Sequence, residues 1–165
     1  MNDTYFQRYI QKAPKDSVVD SLVDSAEQVR GYLSKLTEEQ WNYRYADGKW
    51  SIKEMVVHII DTERIMVYRA LRFARGDKQE LPGFDQDIYV EGSEADKRKS
   101  EDILNEYLAN RMSTLSLFRT LSNESLGRSG SFSSQSPLSV RDIGKLVSGH
   151  EIHHLDILKE RYYNL

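Results

Sequence analysis

The sequence predicts an all-α protein, one four-helix bundle domain spanning residues 1–165. Three observations carry this prediction. Four stretches repeat apolar residues every three or four positions, the period of a helix with one buried face. No stretch alternates apolar and polar residues as a half-buried strand does, and no strand–helix–strand rhythm or internal repeat appears. The length of 165 residues suits one domain whose core needs no disulfide or structural metal.

The elements follow in order. A short helix is expected from Tyr5 to Gln11. The first long helix carries Val19, Leu22, Ala26, Val29, Leu33 and Leu36 on one side, with Pro14 ahead of it and Asp16 or Ser17 as its cap. Another short helix covers Thr37 to Tyr43. The second long helix runs from Ser51 to Arg75, with Ile52, Met55, Val56, Ile59, Met66, Ala70 and Phe73 inward, and Gly76 ends it. Ser51 and Glu54 have the S-x-x-E spacing in which each side chain satisfies a free N–H at the helix start.

Antiparallel neighbours need only a few residues between them, yet the connection from Gly76 to about Ala95 is long. It predicts a crossover, with the second and third helices running the same way, and could form a pocket wall. Asp96-Lys97-Arg98-Lys99 reads as the solvated start of the third helix, whose inward stripe is Leu104, Leu108, Met112, Leu115, Phe118 and Leu121. Gly127 to Ser136, rich in Ser and Gly, reads as a loop. The fourth helix starts after Pro137, capped by Ser139 and Asp142. It turns Ile143, Val147, His150, His154, Ile157 and Leu158 inward.

Composition removes several function classes. The net charge is −3 with the signs mixed along the chain, so no basic stripe suits nucleic acid. No apolar run reaches the ~20 residues that span a bilayer. Met1-Asn2-Asp3-Thr4 lacks the charged and apolar regions of a signal peptide. Cysteine is absent, which rules out disulfides, thiolate ligands and a cysteine nucleophile. Together these predict a cytoplasmic protein that binds neither nucleic acid nor membrane.

Chemistry concentrates in the histidines. Three of the four lie in His150-Glu151-Ile152-His153-His154. His150 and His154 are four apart, which stacks their rings on one helix face. Both lie on the inward stripe, where a buried imidazole needs a partner for its nitrogens. His58 sits in the apolar run Met55–Ile60. At ~1.5 Å per residue, an antiparallel pairing of helices two and four brings all three to one depth. The candidate metal ligands are therefore His58, His150 and His154, a His₃ set with room for water or substrate. Asp61, one turn beyond His58, could orient its ring. Glu151 and His153 are weaker candidates for a catalytic base or proton shuttle. His150-Glu151-x-x-His154 also has the H-E-x-x-H spacing of zinc proteases. However, no histidine follows, Glu160 lies six residues on and far round the helix from His154, and no strands form a peptide cleft. Trp50, Tyr89 and Phe132 are loop candidates for a pocket wall or for plain packing.

Trp50-Ser51-x-x-Glu54-x-x-x-His58 and His150-Glu151-x-His153-His154, with the helix order and long connection, resemble the DinB/YfiT-like superfamily. The resemblance implies an up-down-down-up four-helix bundle holding a divalent metal ion, nickel or zinc, on His58, His150 and His154. It implies small-molecule chemistry. Characterised members join low-molecular-weight thiols to electrophiles or use mycothiol in an isomerisation, and many others are labelled metal-dependent hydrolases without a known substrate. A bound ion would activate a thiol or water, and with no Cys in the chain the thiol must come from a small-molecule substrate. The alternative is a non-catalytic metal-binding stress-response or structural helical module. A homodimer is expected of such bundles.

Overall fold

A computed structural model describes residues 5–132 and 136–162. The reading of Met1–Thr4, and the part of the Ser-rich loop at 133–135, lie outside the described residues. The elements are α1 (Gln7–Ile10), α2 (Val18–Leu33), α3 (Glu38–Trp41), α4 (Ile52–Ala74), α5 (Gln86–Gly92), a 3₁₀ turn (Ala95–Lys97), α6 (Ser100–Thr120), α7 (Asn123–Gly127), β1 (Ser129–Gly130), β2 (Leu138–Ser139) and α8 (Val140–Arg161).

Four long helices, α2, α4, α6 and α8, form the bundle. Shared core layers give their directions. The end of α4 (Ala70, Phe73) packs with the start of α8 (Val140, Ile143), so these two are antiparallel. Val18 and Leu22 of early α2 share that layer with early α8 and with late α6 (Leu115, Phe118). In the second layer Ile52 and Met55 of early α4 lie with Ile103 and Tyr107 of early α6 and Leu155 and Leu158 of late α8. The course is thus up-down-down-up, with α4 and α6 parallel, as the long connection requires. That connection crosses over through α5 and the 3₁₀ turn.

Helix starts follow the expected chemistry. Ser17, not Asp16, caps α2 by accepting from the Asp20 N–H. Both capping boxes form, Ser51 with Glu54 and Ser139 with Asp142. Three local expectations need correction. Asp96–Lys99 does not open the third helix; it falls across the 3₁₀ turn and the Lys99 cap, and α6 begins at Ser100. Met112 is not inward but 61 % exposed, and Arg111 takes the buried position beside it. The Ser-rich loop carries a two-residue antiparallel ladder, Ser129 opposite Ser139 and Gly130 opposite Leu138. Two residues are too few to show alternation in a sequence.

The short α1 lies directly on α8. A Cβ on Gly149 would stand 1.8 Å from the Tyr9 carbonyl oxygen, an impossible separation. Glycine is required there because backbone meets backbone, and neither can rotate away as a side chain does. Gly149→Ala should therefore lower unfolding stability by about 1–3 kcal/mol, read in urea melts. A loss below about 0.5 kcal/mol, the level of an ordinary surface change, would mean that α1 does not seat as seen.

Candidate metal centre

Two apolar layers leave a polar belt between them, and the histidines sit at its edge. His58 projects from the second turn of α4. His150 and His154 project from the later half of α8, one turn apart. All three are at least nine-tenths buried, with exposures of 4 %, 7 % and 8 %. His150 Nε2 lies 3.2 Å from His58 Nε2 and 3.1 Å from His154 Nε2. The three ligand atoms all lie within 4.8 Å of one another, and no other such cluster of histidine and carboxylate groups occurs among the described residues.

These contacts fit a cation better than a hydrogen-bond network. Burial pushes the His58 imidazole down to about 4. Burial, and then the neighbouring histidines, hold His150 and His154 well below the ordinary imidazole range. The rings are neutral near pH 7, so each Nε2 offers either one hydrogen or one lone pair. His150 Nε2, the middle atom, has one hydrogen or one lone pair for two close neighbours and cannot serve both well. Two donors ~2.05 Å from one tetrahedral ion stand ~3.3 Å apart, close to both short separations. His154 Nδ1 is buried without a hydrogen-bond partner.

The surroundings are aromatic. The Trp50 ring packs 4.9 Å from that of His58, and its carbonyl accepts from the Tyr162 hydroxyl. Tyr9 of α1 meets His150 and His153 edge-on, at 5.3 Å and 5.2 Å. His58 and His150 form one end of a cavity of about 650 Å³, whose walls include Phe6, Tyr9, Thr62, Met66, Arg69 and Phe84. His154 and Trp50 face a smaller hollow of about 280 Å³ on the other side.

The remaining sequence candidates are placed differently. Asp61 does not orient His58: its carboxylate lies 3.5 Å from Arg64, and no hydrogen bond joins it to His58 among the described residues. Glu151 follows His150 in the chain, and the ~100° step per residue turns it to the bundle interior. There it is fully buried, accepting from the Arg111 guanidinium at 2.6 Å and the Tyr107 hydroxyl at 2.6 Å. Both oxygens are occupied, and the carboxylate meets Arg111 and Tyr107 rather than the histidines. His153 is half-buried and lies beside His154 and Tyr9, outside the converging trio. Tyr89 is 46 % exposed against Phe84, whereas Phe132 belongs to the core.

The sequence reading missed Arg69 and Thr62. Both stand on the His58 face of α4, eleven and four residues on respectively. A gap in the apolar stripe between Ile59 and Met66 was the visible signal for Thr62. It marked Glu63 as well, which faces inward and pairs with Arg111.

An up-down-down-up helical bundle whose three imidazoles converge closely enough to hold a metal ion is the class of protein that the fold and site define. The chain belongs to the DinB superfamily, whose DinB_2 family profile matches residues 21–158. It is 25 % identical over 157 residues to OB0413 of Oceanobacillus iheyensis, covering 90 % of this chain and 89 % of that protein. That relative is named, provisionally, as a metal-dependent hydrolase. The fold also matches YfiT of Bacillus subtilis with a TM-score of 0.73 at 19 % identity, covering 92 % of this chain and 91 % of that one. YfiT is described as a probable metal-dependent hydrolase with an unusual four-helix bundle topology. A mycothiol-dependent maleylpyruvate isomerase matches with a TM-score of 0.70 at 9 % identity, over 89 % of this chain and 62 % of that one. None of the described helices is long and apolar enough to cross a membrane.

Proposed function

We propose that the chain is a metal-dependent enzyme acting on a small molecule, of the thiol S-transferase or hydrolase type. His58, His150 and His154 would hold a divalent ion, nickel or zinc. The observation that carries this reading is the convergence of three neutral Nε2 atoms, with two of the three histidines lining a substrate-sized cavity. When bound, the ion supplies the Lewis acidity that makes a thiol or water nucleophilic near neutral pH. Trp50 and Tyr9 shield the histidines from bulk water on two sides. Thr62 and Met66 shape the wall along which a substrate would lie. The chain has no cysteine, so any thiol is brought by the substrate.

The test uses untagged chain loaded with zinc or with nickel. A panel of small thiols is offered a reactive electrophile and thiol loss is followed; a parallel panel offers hydrolysable esters and amides. Turnover is expected in one panel, and His58→Ala and His154→Ala should reduce it to background. An ion bound without turnover in either panel would favour the alternative, a module that holds metal without chemistry.

A further inference from the structure

The main cavity carries a second polar feature, far from the histidines. Arg69 is 3 % exposed, yet no carboxylate lies within ion-pairing distance of it among the described residues. Every other buried lysine or arginine among the described residues has one: Arg111 pairs with Glu63 and Glu151, and Lys53 with Glu38. A guanidinium buried without an anion is costly and needs an explanation. One amino group of Arg69 donates to the Pro82 carbonyl at 2.6 Å, and the other touches the Met66 sulfur at 3.5 Å. Its Cζ lies over the Phe132 ring, 4.1 Å from the centroid. These contacts fix the side chain and leave most of its five N–H groups without an oxygen partner.

His58, Thr62, Met66 and Arg69 follow one another along a single face of α4 and all line this cavity. They span ~16 Å of helix axis. Thr62 Oγ1, midway to Met66, is buried with no hydrogen-bond partner. The cavity thus has a reacting end, a free hydroxyl along its length and an uncompensated cation at its far end. Asp85 also lines it, but one of its oxygens accepts the Asp87 and Ile88 N–H groups as the cap of α5. One cation beside an acidic residue matches a single negative charge better than a dianion. A planar fork matches a carboxylate in shape as well.

We infer that the cavity binds an elongated small molecule bearing a carboxylate, gripped by Arg69, with its reactive group at the histidines. This inference rests on the proposed function for the reacting end, and its test is independent of the metal. Metal-free full-length chain is titrated with 4-phenylbutyrate, its amide and 4-phenylbutyl phosphate, following the Arg69 Nε–H signal by NMR. The acid should bind about tenfold to a hundredfold tighter than the amide, as a charge-assisted pair implies, and the phosphate no tighter than the acid. Arg69→Gln should erase the preference for the acid, and Arg69→Lys should keep part of it. Equal binding of acid and amide by the unaltered chain, or binding of neither, overturns the inference whether or not any variant folds. Tighter binding of the phosphate overturns the choice of carboxylate. If instead no ion binds, or none supports turnover, the proposed function fails while these titrations still decide the role of Arg69.

Discussion

Replacing His150 with Ala is expected to remove the bound ion altogether. Of the three rings, that of His150 makes both short contacts, 3.2 Å to His58 and 3.1 Å to His154, so it is the middle donor. Losing a group that merely orients a ligand costs about 10–100-fold in metal affinity, and losing a direct donor should cost more. Untagged chain dialysed against zinc should carry about one ion per molecule, and the variant none at the same free zinc. Melting gives a second readout. A ligand at a thousandfold excess over its Kd stabilises by about 4 kcal/mol, which at this chain length raises Tm by roughly 8–16 °C. That zinc-dependent rise should appear in the unaltered chain and in His153→Ala, and be absent from His150→Ala. Measuring each protein with and without zinc removes the separate cost of truncating a buried ring. A variant that keeps its ion, or an equal rise in both, would mean that these nitrogens do not share a cation.

The convergence of the three histidines was legible because residue spacing and helix period are both local properties. His150 and His154 share a face by arithmetic, and the depth of His58 followed once the pairing was taken as antiparallel. The capping boxes were equally local, and both form. The failures share a different cause. Met112 was assigned inward because an apolar residue at the right spacing outranks arginine on any propensity argument. What reverses the order is a tertiary fact: two carboxylates from α4 and α8 meet at that depth and need a cation. Glu151 illustrates the same limit. Its neighbours His150 and His154 made a protease-like motif, but whether it faces the histidines or the interior depends on where α6 packs. Arg69 gave no signal, since on an amphipathic helix a lone arginine reads as solvated. Its burial depends on the crossover bringing Pro82 and Phe84 over it. Pairing of β1 with β2 was invisible for want of length.

The polar belt behind the histidines sets the other large expected effect. Arg111 grips Glu63 through two parallel bonds of 2.9 Å and reaches Glu151 at 2.6 Å and the Leu22 carbonyl at 2.7 Å. Burial alone would lower the Arg111 pKa; the two carboxylates reverse this and hold it well above the ordinary value. Arg111→Ala leaves two carboxyl groups buried and facing each other without a cation. Breaking a buried pair in this way costs about 3–5 kcal/mol, and the midpoint should fall by roughly 6–20 °C. The belt touches none of the converging Nε2 atoms, so variant that is still folded at low temperature should bind zinc with unchanged stoichiometry. An apolar replacement separates the two roles that Glu151 could have. Glu63→Leu, Tyr107→Phe, Arg111→Met and Glu151→Leu together remove every charge and every donor that would be orphaned. Such exchanges are often neutral or stabilising, so the fourfold variant should melt above Arg111→Ala. If it also retains any turnover found in the unaltered chain, Glu151 holds helices together and does no chemistry. If turnover vanishes while fold and zinc are kept, the carboxylate acts on the reaction across His150, and its assignment to the scaffold is wrong.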